Sequence, residues 1–93
     1  QSSVISDYAL EQNYPNPFNP STTIEFQLPK SSVVTLKIYD LLGNEIRTML
    51  LNERLPAGAH KISLRADGLA SGIYLYQLIT PESTITRKMA VMR

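Results

Sequence analysis

The chain has 93 residues, 43% hydrophobic and 18% charged, with a formal net charge of +1. That length gives one domain with a modest core, and the scattered, nearly balanced charges exclude the basic stripe that nucleic acid or an anionic lipid surface would need. Cysteine is absent, which removes disulfides, thiol catalysis and thiolate metal sites but leaves the compartment open, and no apolar run approaches the ~18 residues of a membrane-spanning helix.

The chain opens at Gln1 with neither methionine nor a basic-then-apolar leader, so it reads as a mature or excised piece, the end of something longer. Residues 1–11 are polar and serine-rich, with Val4, Ile5, Tyr8 and Leu10 as the apolar points. The expectation is a linker over 1–9, beginning to dock near Tyr8, and one domain over 10–93.

Gln12-Asn13-Tyr14-Pro15-Asn16-Pro17-Phe18-Asn19-Pro20 follows. Each proline fixes φ and removes a backbone donor, so this stretch is neither helix interior nor central strand. The residues preceding the prolines are pushed toward extended conformations. The segment predicts a stiff, extended lead-in, pinned over the core by Tyr14 and Phe18.

Residues 22–28 alternate, with Ile24, Phe26 and Leu28 on one face and Glu25 and Gln27 on the other, which predicts a half-buried strand. After the turn signal at Pro29, residues 33–40 alternate again, with Val34, Leu36 and Ile38 inward. Gly43 sits where a hairpin loop needs positive φ. Residues 45–54 fit two periods: Leu42, Ile46, Met49, Leu50 and Glu53 have helical spacing, while Ile46, Thr48 and Leu50 alternate. The hairpin loop before them favours a strand. Pro56 and Gly58 break the chain, and residues 60–66 alternate with Ile62 and Leu64 inward.

Residues 73–80 are apolar on both faces apart from Gln77, as in a central strand covered on both sides. Residues 84–92 put Ile85, Met89 and Val91 on one face, and Arg87 falls among them, which predicts a bulge or an edge position. Short strands at intervals of about ten residues, separated by Gly, Pro and Asp, indicate an all-β fold, an immunoglobulin-like antiparallel β-sandwich of about seven strands.

Catalytic residue types are sparse. His60 is the sole histidine, so a serine triad would have to run through it with Ser71 and Asp67, and no nucleophile-elbow glycines surround a serine. Asp7, Asp40, Asp67 and Glu82 are isolated and lack calcium-loop spacing; turn capping is the commoner use of such loop carboxylates. No cofactor and no metal site is expected, and the chain is expected to be monomeric. Asn19-Pro20-Ser21 fails as a glycosylation acceptor because its middle residue is proline. The proline segment could serve as a polyproline ligand, but its direct continuation into a strand favours a place within the fold. Tyr74, entering a strand just after Ser71-Gly72, is placed as in a tyrosine corner, its hydroxyl bonding back to upstream backbone; the alternative is a sugar-stacking role for Tyr39, Tyr74 or Tyr76, as in a carbohydrate-binding or structural accessory module of a secreted glycoside hydrolase.

The blocks 13–20, 38–43, 55–60, 69–76 and 86–93, in that order, resemble the C-terminal sorting domains, type A, of the type IX (Por) secretion system. Closely similar repeats occur in the immunoglobulin-like part of flagellar hook-capping proteins. The resemblance implies a non-catalytic address at the end of a secreted cargo, brought to the cell surface by way of the periplasm. It implies recognition by the outer-membrane translocon, removal by a sortase-like peptidase and attachment of the cargo to surface lipopolysaccharide. By carry-over, Lys88, Met89, Ala90 and Val91 in the last strand carry recognition. Tyr14, Pro15, Asn16, Pro17, Phe18, Asn19, Pro20, Gly43, Gly58, Gly72 and Tyr74 form the structural motif. Ala90 stands where a larger aliphatic residue is common, which shrinks that face. The last strand is also expected to offer a bare edge that a partner extends by strand addition.

Overall fold

A computed structural model describes residues 6–93; Val4 and Ile5, two of the apolar points of the expected linker, lie outside the described residues. The chain is all-β. Its strands are β1 (Ala9–Leu10), β2 (Ser21–Leu28), β3 (Ser32–Tyr39), β4 (Glu45–Leu55), β5 (Gly58–Arg65), β6 (Gly72–Thr80) and β7 (Ser83–Val91). They form a three-stranded sheet in the order β1-β2-β5 and a four-stranded sheet in the order β4-β3-β6-β7, antiparallel throughout. This is the β-sandwich that the alternating runs imply.

The inward residues of each strand meet between the sheets. Ile24, Phe26, Leu28 and Leu64 come from one sheet, and Val34, Leu36, Ile38, Tyr76, Leu78, Met89 and Val91 from the other, all nearly or wholly buried. Period-two alternation makes this possible, because it sends every second side chain to the same face. At about 1.5–3 kcal/mol for each fully buried large apolar side chain relative to exposure, this layer is the main favourable term in folding.

The region of two competing periods, 45–54, is strand. The preceding loop decides it: Asp40 N–H donates to Asn44 O and Gly43 N–H to Asp40 O, at 3.0 and 3.1 Å. Gly43 stands at φ +89°, where a Cβ would be strained. The Asp40 carboxylate accepts from the Leu42 and Asn44 amides, both at 2.9 Å, an Asx turn that returns the chain against β3. Yet the alternation of Ile46, Thr48 and Leu50 does not survive. Register shifts interrupt the β3–β4 pairing, Asn52 takes φ +50°, and the half-buried neighbours Met49 and Leu50 pack together against the core.

The expectation of two covered faces for residues 73–80 is corrected. β6 is interior to its sheet, but one face only is buried; on the other, Ile73 is 43% exposed and Leu75, Gln77 and Ile79 are half-buried. Two sheets make two layers, and no third layer covers the outer face. Arg87 is at an edge and not at a bulge: the β6–β7 register runs unbroken from Gly72↔Val91 to Thr80↔Ser83, and the guanidinium turns out to donate to Leu10 O.

At the other end, Tyr8 packs on the core, its hydroxyl 3.1 Å from both Ser32 Oγ and Glu82 Oε1. Ala9 and Leu10 then pair with Gln27 and Phe26.

Candidate recognition surface

The proline segment departs from the extended lead-in expected of it. The Tyr14–Pro15, Asn16–Pro17 and Asn19–Pro20 peptide bonds are all cis, and the segment folds back over the open side of β7. Of its two aromatics, Phe18 is 1% exposed and anchors the segment, whereas Tyr14 is 81% exposed. Pinning by Tyr14 is therefore corrected. Its backbone exchanges two 3.0 Å hydrogen bonds with Thr23, which continues the β1–β2 ladder and turns the ring to solvent.

Asn13, 1% exposed, holds the place expected of Tyr14. Its amide N–H donates to the Tyr76 hydroxyl at 2.8 Å, and its side-chain nitrogen donates to Pro15 O and Thr22 Oγ1 at 3.1 and 3.0 Å. Its side-chain oxygen accepts from Gln12 Nε2 at 2.8 Å. The Tyr76 hydroxyl in turn donates to Glu11 O at 2.7 Å, and burial pushes that phenol's pKa upward. A buried side-chain polar atom without a partner would cost about 1–3 kcal/mol, and the described residues contain none. Sequence reasoning placed Asn13 only within a motif and offered Tyr76 for sugar stacking. Tyr76 is fully buried and has no face free for a sugar.

The corner at the start of β6 is local. The Tyr74 hydroxyl donates to Ala70 O at 2.8 Å, four residues back. Gly58 and Gly72 open β5 and β6. Asn19 and Pro20 lead into β2, and Pro20 O accepts from Ala66 N–H at 2.7 Å.

The edge of β7 is not bare along its second half, contrary to expectation. Gln12 Nε2 donates to Lys88 O at 2.7 Å, and Asn16 Oδ1 accepts from Ala90 N–H at 2.9 Å. Phe18 N–H donates to Ala90 O, and Met92 N–H donates to Phe18 O, at 3.0 and 3.1 Å. Every outward backbone group engaged here belongs to residues 88, 90 or 92, as the two-residue repeat of a strand requires. The same repeat points the backbone of Thr84 and Thr86 outward, and among the described residues they have no strand partner on that side. Arg93 ties down the end, its guanidinium donating to Ala66 O and Leu69 O at 2.8 and 3.0 Å.

Beside this covered edge lies a cleft of about 280 Å³, lined by Asn16, Leu41, Ile73, Lys88, Met89 and Ala90. Three of the four carried-over recognition residues line it, although the Met89 side chain, like that of Val91, is buried in the core. The tertiary fold thus gathers residues from the proline block, the hairpin loop, the start of β6 and the last strand.

Among the described residues no catalytic arrangement forms around His60. Its ring stacks on Phe26 with centroids 5.3 Å apart, and Nε2 lies 2.8 Å from Pro56 O. Ser71 Oγ accepts from Arg93 N–H and Asp67 pairs with Arg65, at 2.9 and 2.8 Å. Asp40 caps its hairpin and Glu82 pairs with Lys30 at 2.8 Å; among the described residues no three His, Cys, Asp or Glu side chains cluster as a metal site would need.

The final strand and the proline block thus build one surface cleft on a β-sandwich. The model of the secretion system C-terminal sorting domain matches residues 12–92, and the chain belongs to that family. Neither the comparison with curated proteins nor that with solved structures gives a match. The family consists of non-catalytic sorting signals of type IX secretion, carried as part of a larger cargo chain that interacts with the secretion machinery. Membership assigns the protein to export through the periplasm to the cell surface or beyond.

Proposed function

We propose that this chain is a non-catalytic address which the type IX outer-membrane translocon reads on the folded domain, through a surface centred on Lys88, Met89 and Ala90. The observation that carries this reading is the cleft itself, where those residues meet Asn16, Leu41 and Ile73 from three other motif blocks. Residues 10–93 form the sorting domain, and residues 1–9 lead in from the cargo. After translocation a sortase-like peptidase removes the domain, and the cargo is attached to surface lipopolysaccharide. The domain acts as a monomer, without a cofactor, metal or nucleic acid.

The test is a periplasmic reporter fused ahead of the 93-residue chain in a type IX-competent host. The intact fusion is expected at the cell surface, and deletion of residues 84–93 should leave the reporter in the periplasm. Export that survives the deletion would sink the sorting reading.

The carbohydrate alternative loses two of its tyrosines, since Tyr74 and Tyr76 are buried. What favours it is Tyr14, exposed beside Glu11, Gln12, Glu25 and Lys61 in a separate cleft of about 320 Å³. Retention on a polysaccharide column that a Tyr14→Ala variant loses would support that second reading.

A further inference from the structure

We propose that the cleft beside β7 receives an aliphatic side chain from an acidic segment of the export machinery, which docks side chain first on the sheet face and sets a carboxylate on Lys88. This rests on the sorting reading above and adds the partner's chemistry and its mode of approach.

The edge argues against strand addition. From Lys88 O to Met92 N–H the outward backbone groups are already taken by Gln12, Asn16 and Phe18. What stays open is the stretch around Thr84 and Thr86, short against the usual strand of about 5–6 residues. A partner that paired along the whole of β7 would first have to detach the segment that buries Phe18 and Asn13.

The face offers what the edge does not. Leu41 and Ile73, 61% and 43% exposed, flank the cleft, and Ala90 contributes only a methyl group to its floor. At about 280 Å³ it has room for an aliphatic side chain. Lys88 is the one charged residue of the lining, is exposed, and makes no ion pair among the described residues. An apolar pocket with one uncompensated cation on its rim is complementary to an aliphatic residue beside an acidic one. The apolar anchor supplies affinity, and the rim charge supplies encounter rate and discrimination between partners.

The experiment uses the same reporter fusion, with the surface-exposed fraction measured and the melting temperature of each purified variant compared with the parent. Lys88→Glu and Ile73→Asp should each lower surface display by about tenfold or more, the effect of about 1.4 kcal/mol of lost binding, while Lys88→Arg retains it. Thr86→Pro removes an outward amide at an edge, where proline is tolerated, and should leave display intact. Normal display of both Lys88→Glu and Ile73→Asp, when deletion of 84–93 still abolishes export, overturns the docking mode and leaves the sorting reading standing. Loss of display in a Thr86→Pro variant that melts like the parent overturns it equally, in favour of strand addition. Should Thr86→Pro fail to fold, Lys88→Glu and Ile73→Asp decide the matter alone.

Discussion

The two edges of the four-stranded sheet, β4 and β7, solve the same problem in opposite ways. An edge strand exposes unpaired backbone groups and invites pairing with other chains. β4 is long and irregular: its pairing with β3 shifts register, Asn52 stands at φ +50°, and Ile46 and Leu51 are 41% and 59% exposed. β7 is regular along its whole length and is shielded along its second half by the proline segment. Irregularity discourages pairing without help from the rest of the chain. A cover leaves the strand straight, so its side chains stay in a fixed array, which suits a strand that has to be read.

That contrast predicts a steep asymmetry in stability. Phe18 is the apolar side chain of the cover that lies wholly within the core, and Phe18→Ala should cost about 3–5 kcal/mol, the range for large aromatic truncations. Chemical denaturation should show it as a lower midpoint. Ile46→Ala on β4, where the side chain is already 41% exposed, should stay within about 0.5 kcal/mol of the parent, as surface substitutions usually do. Comparable losses at the two positions would mean that the segment is not a structural part of the sandwich.

A smaller effect separates the cover from the tyrosine corner. Tyr76→Phe removes the hydroxyl that accepts from Asn13 N–H and donates to Glu11 O, leaving a buried amide unpaired at about 1–3 kcal/mol. Tyr74→Phe removes one bond to Ala70 O and should cost about 1 kcal/mol. Thermal melts of the two variants should therefore fall in that order, and the reverse order would place the principal tie at the corner.

The same distinction explains what the sequence made legible. Strand positions were readable because alternation is a local consequence of pleating, as for Ile24, Phe26 and Leu28. The corner was readable because Tyr74 reaches only to Ala70. The cover was not, because Asn13 and Tyr76 are 63 residues apart and Asn16 and Ala90 are 74, and no local pattern records such pairings. Within the proline segment aromatic character favoured Tyr14 as an anchor, yet its sheet-like backbone bonds to Thr23 send the ring outward and Asn13 inward. The bare edge expected of β7 failed for the same reason: its partner lies at the far end of the chain. On β6 the apolar composition suggests two covered faces, whereas the outer one holds the exposed Ile73 beside the proposed docking cleft.

The smallest predicted effect concerns the turns that flank the two edges, and acid should reveal it. The Asp40 carboxyl is held below its ordinary value of 3.8, first by the hydrogen bond from the Asn44 side chain and then by backbone amides. Glu82, in the turn before β7, is held below 4.5 by hydrogen bonds from Lys30 and Tyr8. A carboxyl whose folded pKa lies below its unfolded value contributes stability that is fully present above the unfolded value and is lost as pH falls through the folded one. Stability should therefore be level above about pH 5 and decline as pH drops below the 3.8–4.5 range of these unfolded carboxyls. Both groups are solvent-exposed, so salt and water screen each contribution and the decline should be shallow. Asp40→Asn should flatten the part of the acid profile that belongs to the β3–β4 hairpin, and Glu82→Gln the part that belongs to the turn into β7. Melting temperatures from pH 2 to 7 for parent and variants would separate the two, and an acid profile identical in all three would show that neither turn carboxyl is linked to folding.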